Sequence, residues 1–380
     1  MSTARKKVPA RSTSPAKAET SGGRRAVARD SMLLDPVLAA VRKRAGKAGG
    51  DDAAAFAAAF YQRMGDDEIG VHEADSWAAL ATDFLDFIGK RKPGSASVRL
   101  FNPTLATHGW ETQHTVLQIA NDDMPFLVDS VTMALAELGI GVHVLGHPVV
   151  EIARDRAGRL TGVGTGAGES LMHLEIDRQT PEGCARVEAA VRGVLEDVRA
   201  IVADWQQMRE RMEQVAEGLD DAPLPVSDAE RTEIQAFLRW AADNHFTFFG
   251  YREYEVVKKG KDEVLQAIDG SGLGLLRGRD VGKPRLLRTV GAQRTERAVE
   301  PLILTKTNAR SSIHRPGYMD YIGVLGFDAK GAKATSEKRF LGLYTSSAYS
   351  RRPWDIPIVR DRHEQVMGAS GLADTGHSGK

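Results

Sequence analysis

Lys306, Arg310, Ser311, Ser312, His314 and Arg315 crowd an ammonium, two guanidinium groups, two hydroxyls and an imidazole into one short stretch. Ser346, Ser347, Arg351 and Arg352 echo it downstream. Donors of this kind at strand ends can hold a carboxylate or a phosphate, and they can equally fix a loop or line a domain boundary. The first six residues are the candidate anion site. Other chemistry is harder to defend. Gly162-Val163-Gly164-Thr165-Gly166-Ala167 has the spacing of a pyrophosphate-binding fingerprint. That fingerprint needs a buried strand before it and a helix after it, so that a helix N-terminus meets the phosphates. Here a charged stretch precedes and a strand pattern follows, which predicts a flexible hairpin loop. His143 and His147, four apart on a strand, would lie roughly 13 Å from each other, too far to share a metal ion. Cys184 sits near a helix start whose dipole could lower its pKa, but no base stands beside it and packing is the default. No catalytic triad or carboxylate pair is evident.

These residues need elements to position them. Residues 1–30 are small, polar and basic and cannot bury enough apolar surface to offset chain entropy, which predicts a disordered tail. Residues 31–93 read as helical: Trp77, Leu80, Ala81, Phe84, Phe87 and Ile88 share one face, with Phe56 and Phe60 four apart upstream. After Pro93-Gly94 the period changes. Strands are expected at 97–101, 114–120, 141–153 and 171–176, with helices at 125–138 and from Pro181 onward. Pro125 suits the first turn of the former and Gly139 its stop, while Thr180 suits the cap of the latter. Strand, helix, strand, strand, helix is the order of an antiparallel sheet with helices on one face, an α+β module over residues 94–219.

The second of those helices carries Val187, Val191, Val194, Val198, Ile201, Trp205, Met208, Met212 and Val215 in alternating steps of four and three. This is a coiled-coil period, and a helix over 181–217 would run roughly 55 Å at 1.5 Å per residue. It must pack on another helix, in this chain or in a second subunit of a homo-oligomer. Ser227 and Glu230 form a capping box that opens a further helix. From residue 246 the pattern turns β-rich (246–257, 263–268, 302–307, 318–327 and 339–345), and the last two strands form a hairpin across Asp328-Ala329-Lys330-Gly331. Residues 220–380 are thus a second α+β domain.

Composition narrows the function classes. The chain has 380 residues, 42% of them hydrophobic, enough for two or three domains. Lys plus Arg and Asp plus Glu are 51 each, so no net charge steers the chain to nucleic acid or an anionic membrane. The single cysteine excludes an internal disulfide framework and Cys-rich metal sites. No apolar run reaches membrane-spanning length, and the basic N-terminus lacks the apolar core of a secretory signal, so a cytoplasmic protein is expected.

Four runs carry a family resemblance: Asn102-Pro103-Thr104; Asn121-Asp122-Asp123-Met124-Pro125-Phe126-Leu127-Val128-Asp129-Ser130; His314-Arg315-Pro316-Gly317-Tyr318-Met319-Asp320-Tyr321-Ile322-Gly323-Val324; and Arg339-Phe340-Leu341-Gly342-Leu343-Tyr344-Thr345-Ser346. From about Asp30 to its last residue the chain resembles the N-terminal part of the large bacterial NAD-specific glutamate dehydrogenases. The resemblance implies ACT-type regulatory domains ahead of a distant dinucleotide-binding catalytic domain. It implies NAD for the full-length enzyme and no cofactor bound by this chain, which would stop short of the catalytic region and be inactive alone. It also implies that Asn121, Asp122, Asp123, Met124, Pro125 and Phe126, the loop between a strand and the first helix, contact an amino-acid effector. Phe126 departs from the small glycine usual after the loop proline. The alternative is a free-standing ACT-type amino-acid-binding protein.

Overall fold

The computed structural model describes residues 34–62, 73–278, 285–286 and 300–370. The basic tail and the last residues of the chain lie outside these. The architecture is α+β: an N-terminal helical segment, two antiparallel sheets and one long helix that serves both.

The segment comprises α1 (Leu34–Tyr61), bent at Gly46 where φ is 72°, and α2 (Ala74–Ile88). The aromatic spacing read from the sequence becomes contact. Phe56 stacks on Phe60 at 5.7 Å between ring centroids, Phe60 meets Phe84 edge-on at 5.2 Å, and the Tyr61 hydroxyl donates to the Trp77 carbonyl at 2.7 Å.

The first sheet holds β1 (Ser97–Phe101), β2 (Thr115–Asp122), β3 (Val142–Gly146), β4 (Val149–Arg154), β5 (Leu160–Val163) and β6 (Ala167–Ile176), in the order β1-β2-β6-β4-β5 with β3 also on β6. A single helical turn, α3 (Leu105–His108), lies between β1 and β2. α4 (Leu127–Glu137) and α5 (Pro181–Gly218) cover one face, as the element order implies. Alternation along the strands decides the rest. Leu117, Ile119, Met172 and Leu174 point at α4 and α5, whereas Val116, Ala120, Val150 and Leu171 point the other way and pack on α1 and α2. A sheet buried on both faces is what the sequence hides, because the helical segment was written before the sheet begins.

The second sheet holds β7 (Phe246–Lys259), β8 (Asp262–Ala267), β9 (Leu273–Gly274), β10 (Arg285–Leu286), β11 (Leu302–Arg310), β12 (Tyr318–Phe327) and β13 (Ala334–Tyr344), in the order β10-β8-β7-β13-β12-β11 with β9 on β7. α6 (Asp228–Trp240) enters through the expected capping box: Ser227 Oγ accepts from Glu230 N, and Ser227 N donates to the Glu230 carboxylate at 2.9 Å. After the sheet come α7 (Ser346–Tyr349), a 3-10 turn (Pro353–Asp355) and α8 (Val359–Ser370).

The seam of α5 packs against other elements of this chain. Val187, Val191, Val194, Val198 and Ile201 join the first sheet and α4 in one apolar cluster. Met208, Met212 and Val215 join α6 and the second sheet in another. Between the two, the expected apolar position fails: Trp205 is 48% exposed and Asp204 is 1% exposed. The Asp204 carboxylate accepts from Gly274 N and Arg277 Nε, both at 2.8 Å, and so clamps β9 to the helix. A heptad count assumes one continuous partner, and here the partner changes from one sheet to the next at that turn.

Candidate functional site

The expected effector loop, residues 121–126, runs from the end of β2 into α4. The side chains of its first two residues are already engaged. Asn121 is buried, and its Oδ1 accepts from Arg199 on α5. The Asp122 carboxylate accepts from Arg199 Nη1 at 2.6 Å and from Gly94 N at 2.8 Å, and pairs with Arg91 Nη1 at 2.9 Å. Asp123 donates its N–H to Gly168 at 3.3 Å. Met124 and Phe126 rest on the apolar cluster beneath α4, while Pro125 stays exposed. α4 begins two residues later than Pro125 suggests, because Phe126 turns the chain with a left-handed φ of 72°.

Behind the loop stands a buried ion network. Glu169 on β6 takes Arg91 Nε at 3.0 Å, Arg91 Nη2 at 2.8 Å, Arg154 Nε at 2.5 Å and Arg154 Nη2 at 2.8 Å. Burial opposes its ionisation, but the hydrogen bonds from Arg154 and Arg91 outweigh burial and hold the carboxyl below its usual range. Asp122 behaves likewise: desolvation is overcome by Arg199 and Arg91. Nothing in the spacing of Arg91, Glu169 and Arg199 marks them in the sequence; their signal exists only once β2, β6 and α5 are side by side.

Lys306 and Arg310 lie on β11, the other candidate anion residues lie on the connection from β11 to β12, and part of that connection meets the effector loop. Ile313 is fully buried in the same apolar cluster as Leu127 and Val131 of α4. The His314 N–H donates to Ser130 Oγ at 3.3 Å, and its ring lies 4.9 Å from that of Phe126. His314 also has a left-handed φ, 69°, so two non-glycine residues in a costly backbone region face each other where the β11–β12 connection meets the loop before α4. Burial lowers the His314 pKa, against a weaker pull upward from Asp129. Ser311 braces the turn: its Oγ donates to Ile313 O at 2.7 Å and accepts from Ile313 N at 3.1 Å.

The remaining donors each engage a different neighbour. Lys306 Nζ pairs with Asp320 at 2.6 Å, the Arg310 guanidinium lies 5.6 Å from the Tyr318 ring centre, and Arg315 Nη2 donates to Tyr344 O at 2.9 Å. Ser312 is half-buried beside them. Ser347 donates to Asn244 O at 3.1 Å and Arg352 pairs with Asp355 at 3.1 Å.

The histidines and the cysteine fall elsewhere. His147 Nε2 lies 2.7 Å from Ser170 Oγ. His143 Nε2 lies 2.7 Å from Asp177 Oδ1, and its ring stacks on that of His114 at 4.1 Å, a pairing the sequence did not suggest. Burial pushes the Cys184 thiol up, with Glu188 adding to it. Among the described residues no group of three or more His, Cys, Asp or Glu could hold a metal ion.

The glycine fingerprint does not fit a dinucleotide. Ile152 of β4 pairs with Val163 on one side and Ala167 on the other, so residues 164–166 carry the chain across β4 from β5 to β6. β5 and β6 flank β4, where a simple hairpin was expected. Gly164 and Gly166 have φ of 82° and 103°, and a Cβ on Gly166 would lie 2.4 Å from Ile152 O. The glycines serve a close backbone approach, and no helix N-terminus follows them.

Comparison with known proteins places this geometry. A family model for the ACT1 domain of glutamate dehydrogenase matches residues 56–191, which takes in the end of α1, α2, the first sheet and the start of α5. The NAD-specific glutamate dehydrogenase of Halomonas elongata is 32% identical over 366 residues, covering 92% of this chain and 22% of that protein. The Pseudomonas aeruginosa protein of the same name is 33% identical over 335 residues, 86% of this chain and 21% of its own length. That of Mycobacterium tuberculosis is 27% identical over 273 residues. The chain therefore spans about a fifth of the length of the first two relatives.

Proposed function

Because this chain belongs with the ACT-bearing part of the large NAD-specific glutamate dehydrogenases, we propose that it is an N-terminal regulatory and scaffolding segment of such an enzyme. The whole enzyme would convert L-glutamate, NAD and water to 2-oxoglutarate, ammonia and NADH in the cytoplasm. The observation that carries this reading is the asymmetry of coverage, 92% of this chain against 22% of the relative. NAD belongs to the whole enzyme in this reading, and no step of hydride transfer is assigned to these residues. Among the described residues no helix is long and apolar enough to cross a membrane.

The regulatory part of the proposal centres on residues 121–126. An amino acid bound there would sit beside the contact of Phe126 with His314, so effector binding and the docking of the β11–β12 connection would be linked. Homo-oligomers, in this reading, form through surfaces other than the α5 seam. Titration of the chain with NADH, followed by nicotinamide fluorescence, is the test. We expect no saturable change at micromolar concentration; saturable binding would overturn the assignment. Calorimetry with a panel of amino acids reads the effector site separately.

A further inference from the structure

The connection and strand ends around Tyr318 and Tyr349 form a surface that neither sheet needs. Tyr318 is 52% exposed and Tyr349 is 64% exposed, unusual for large aromatic side chains with no covering element. Each is capped by a guanidinium, Arg310 at 5.6 Å from the Tyr318 ring centre and Arg315 at 5.7 Å from that of Tyr349. Among the described residues, Arg310, Arg315 and Arg351 have no carboxylate partner; Arg351 instead donates to His245 Nε2 at 3.4 Å. Buried Asp320 joins the two parts beneath the surface. Asp320 pairs with Lys306 and accepts from Tyr344 N at 3.2 Å, and Tyr344 O in turn accepts from Arg315 at 2.9 Å. Asp320 is thereby neutralised, as Asp355 is by Arg352. Exposed Asp243 on the neighbouring turn reduces the excess of positive charge without reversing it.

We propose that this face is a docking surface for a carboxylate-rich protein segment. Guanidinium groups held against rings have lost part of their rotamer freedom before any partner arrives, and their planar forks match carboxylate geometry. Arginine with tyrosine at a partly exposed position is the composition of interface hot spots. Charge complementarity selects an acidic partner. Nucleic acid is the poorer fit. The guanidiniums already occupy ring faces on which bases would stack.

The test uses the full chain and three labelled probes: an oligoglutamate peptide, a single-stranded oligothymidylate of equal charge, and phosphatidylglycerol-containing vesicles. Fluorescence anisotropy, or light scattering for the vesicles, reads binding. The expected result is oligoglutamate binding that weakens as salt rises from about 0.05 to about 0.5 M. Arg310→Glu combined with Arg351→Glu should weaken it about tenfold or more. Arg156→Glu, a charge reversal on the exposed turn between β4 and β5, should leave it unchanged. Tyr349→Ser, which removes one ring without changing charge, should also weaken binding and guards against a charge variant that misfolds. No oligoglutamate binding, equal binding by Arg310→Glu/Arg351→Glu, or tighter binding of the oligothymidylate or the vesicles would each overturn the proposal.

Discussion

The two sheets share α5 yet are finished in different ways. The first is covered on both faces and fastened by an ion network whose members come from distant parts of the chain: Arg91 after α2, Asp122 on β2, Arg154 on β4 and Glu169 on β6. The second is covered by α5 and α6 on one face. On its other face Glu337 and Arg339, two residues apart on β13, pair with each other at 3.0 Å, and Tyr254 and Tyr321 flank the guanidinium at 4.0 and 5.1 Å from their ring centres. The first network ties together elements far apart in the chain, whereas the second is a buried cluster confined to the neighbouring strands β7, β12 and β13. The contrast implies that charge removal in the first sheet should loosen the helical segment as a unit, and that the second sheet depends more on its clamp to α5.

The largest effect is expected at Glu169. Glu169→Ala leaves Arg91 buried with less than its full complement of acceptors, which should cost about 3–5 kcal/mol in urea unfolding. A cost under about 1 kcal/mol would erase the contrast between the sheets. Ile201→Ala, in the part of the seam facing the first sheet, should cost about 2–4 kcal/mol by cavity formation.

Acid sharpens the comparison through His173, which lies in the first module between Phe60, Phe84 and Trp110. Burial pushes its pKa down to about 4, with Glu175 pulling weakly the other way and Arg99 adding to the depression. Gln118 Nε2 lies 3.1 Å from its Nδ1, consistent with a neutral ring. Between about pH 6.5 and 4 the unfolded chain binds a proton that the folded chain refuses, so stability falls as pH drops, by up to about 1.4 kcal/mol per pH unit. His314, also depressed, acts in the same direction. Glu169 and Asp122 add their own loss as pH falls through the ordinary carboxylate range and below it. His173→Gln should flatten the slope above pH 5; an unchanged slope would place the acid sensitivity elsewhere.

Asp204→Asn should cost about 1–3 kcal/mol, because Arg277 and Gly274 lose a charged acceptor. Amide exchange should quicken at Gly274 and in β7 while the first sheet keeps its protection. Trp205→Ala should change stability by no more than about 0.5 kcal/mol and leave the oligomeric state as it was. Dissociation of an oligomer by Trp205→Ala would return the seam to subunit assembly.

How much of this the sequence discloses depends on the range of the interactions. Local chemistry was legible: the Thr180 cap that accepts from Gly183 N, the Ser227–Glu230 box and the β12–β13 hairpin closed by Gly331 at φ 65° all follow from neighbours in sequence. The order of elements gave the first module. The inversion of Asp204 and Trp205 was hidden because spacing cannot show that a helix changes partners. The joint of Phe126 with His314 was hidden for a similar reason. Both loops were singled out, but as separate sites, and only packing of Ile313 under α4 brings them together.

The most direct test of the account is turnover by the purified 380-residue chain, supplied with glutamate and NAD and followed by NADH absorbance. The account predicts no NADH formation above the protein-free control. Sustained formation of NADH, proportional to the amount of chain added, would contradict it.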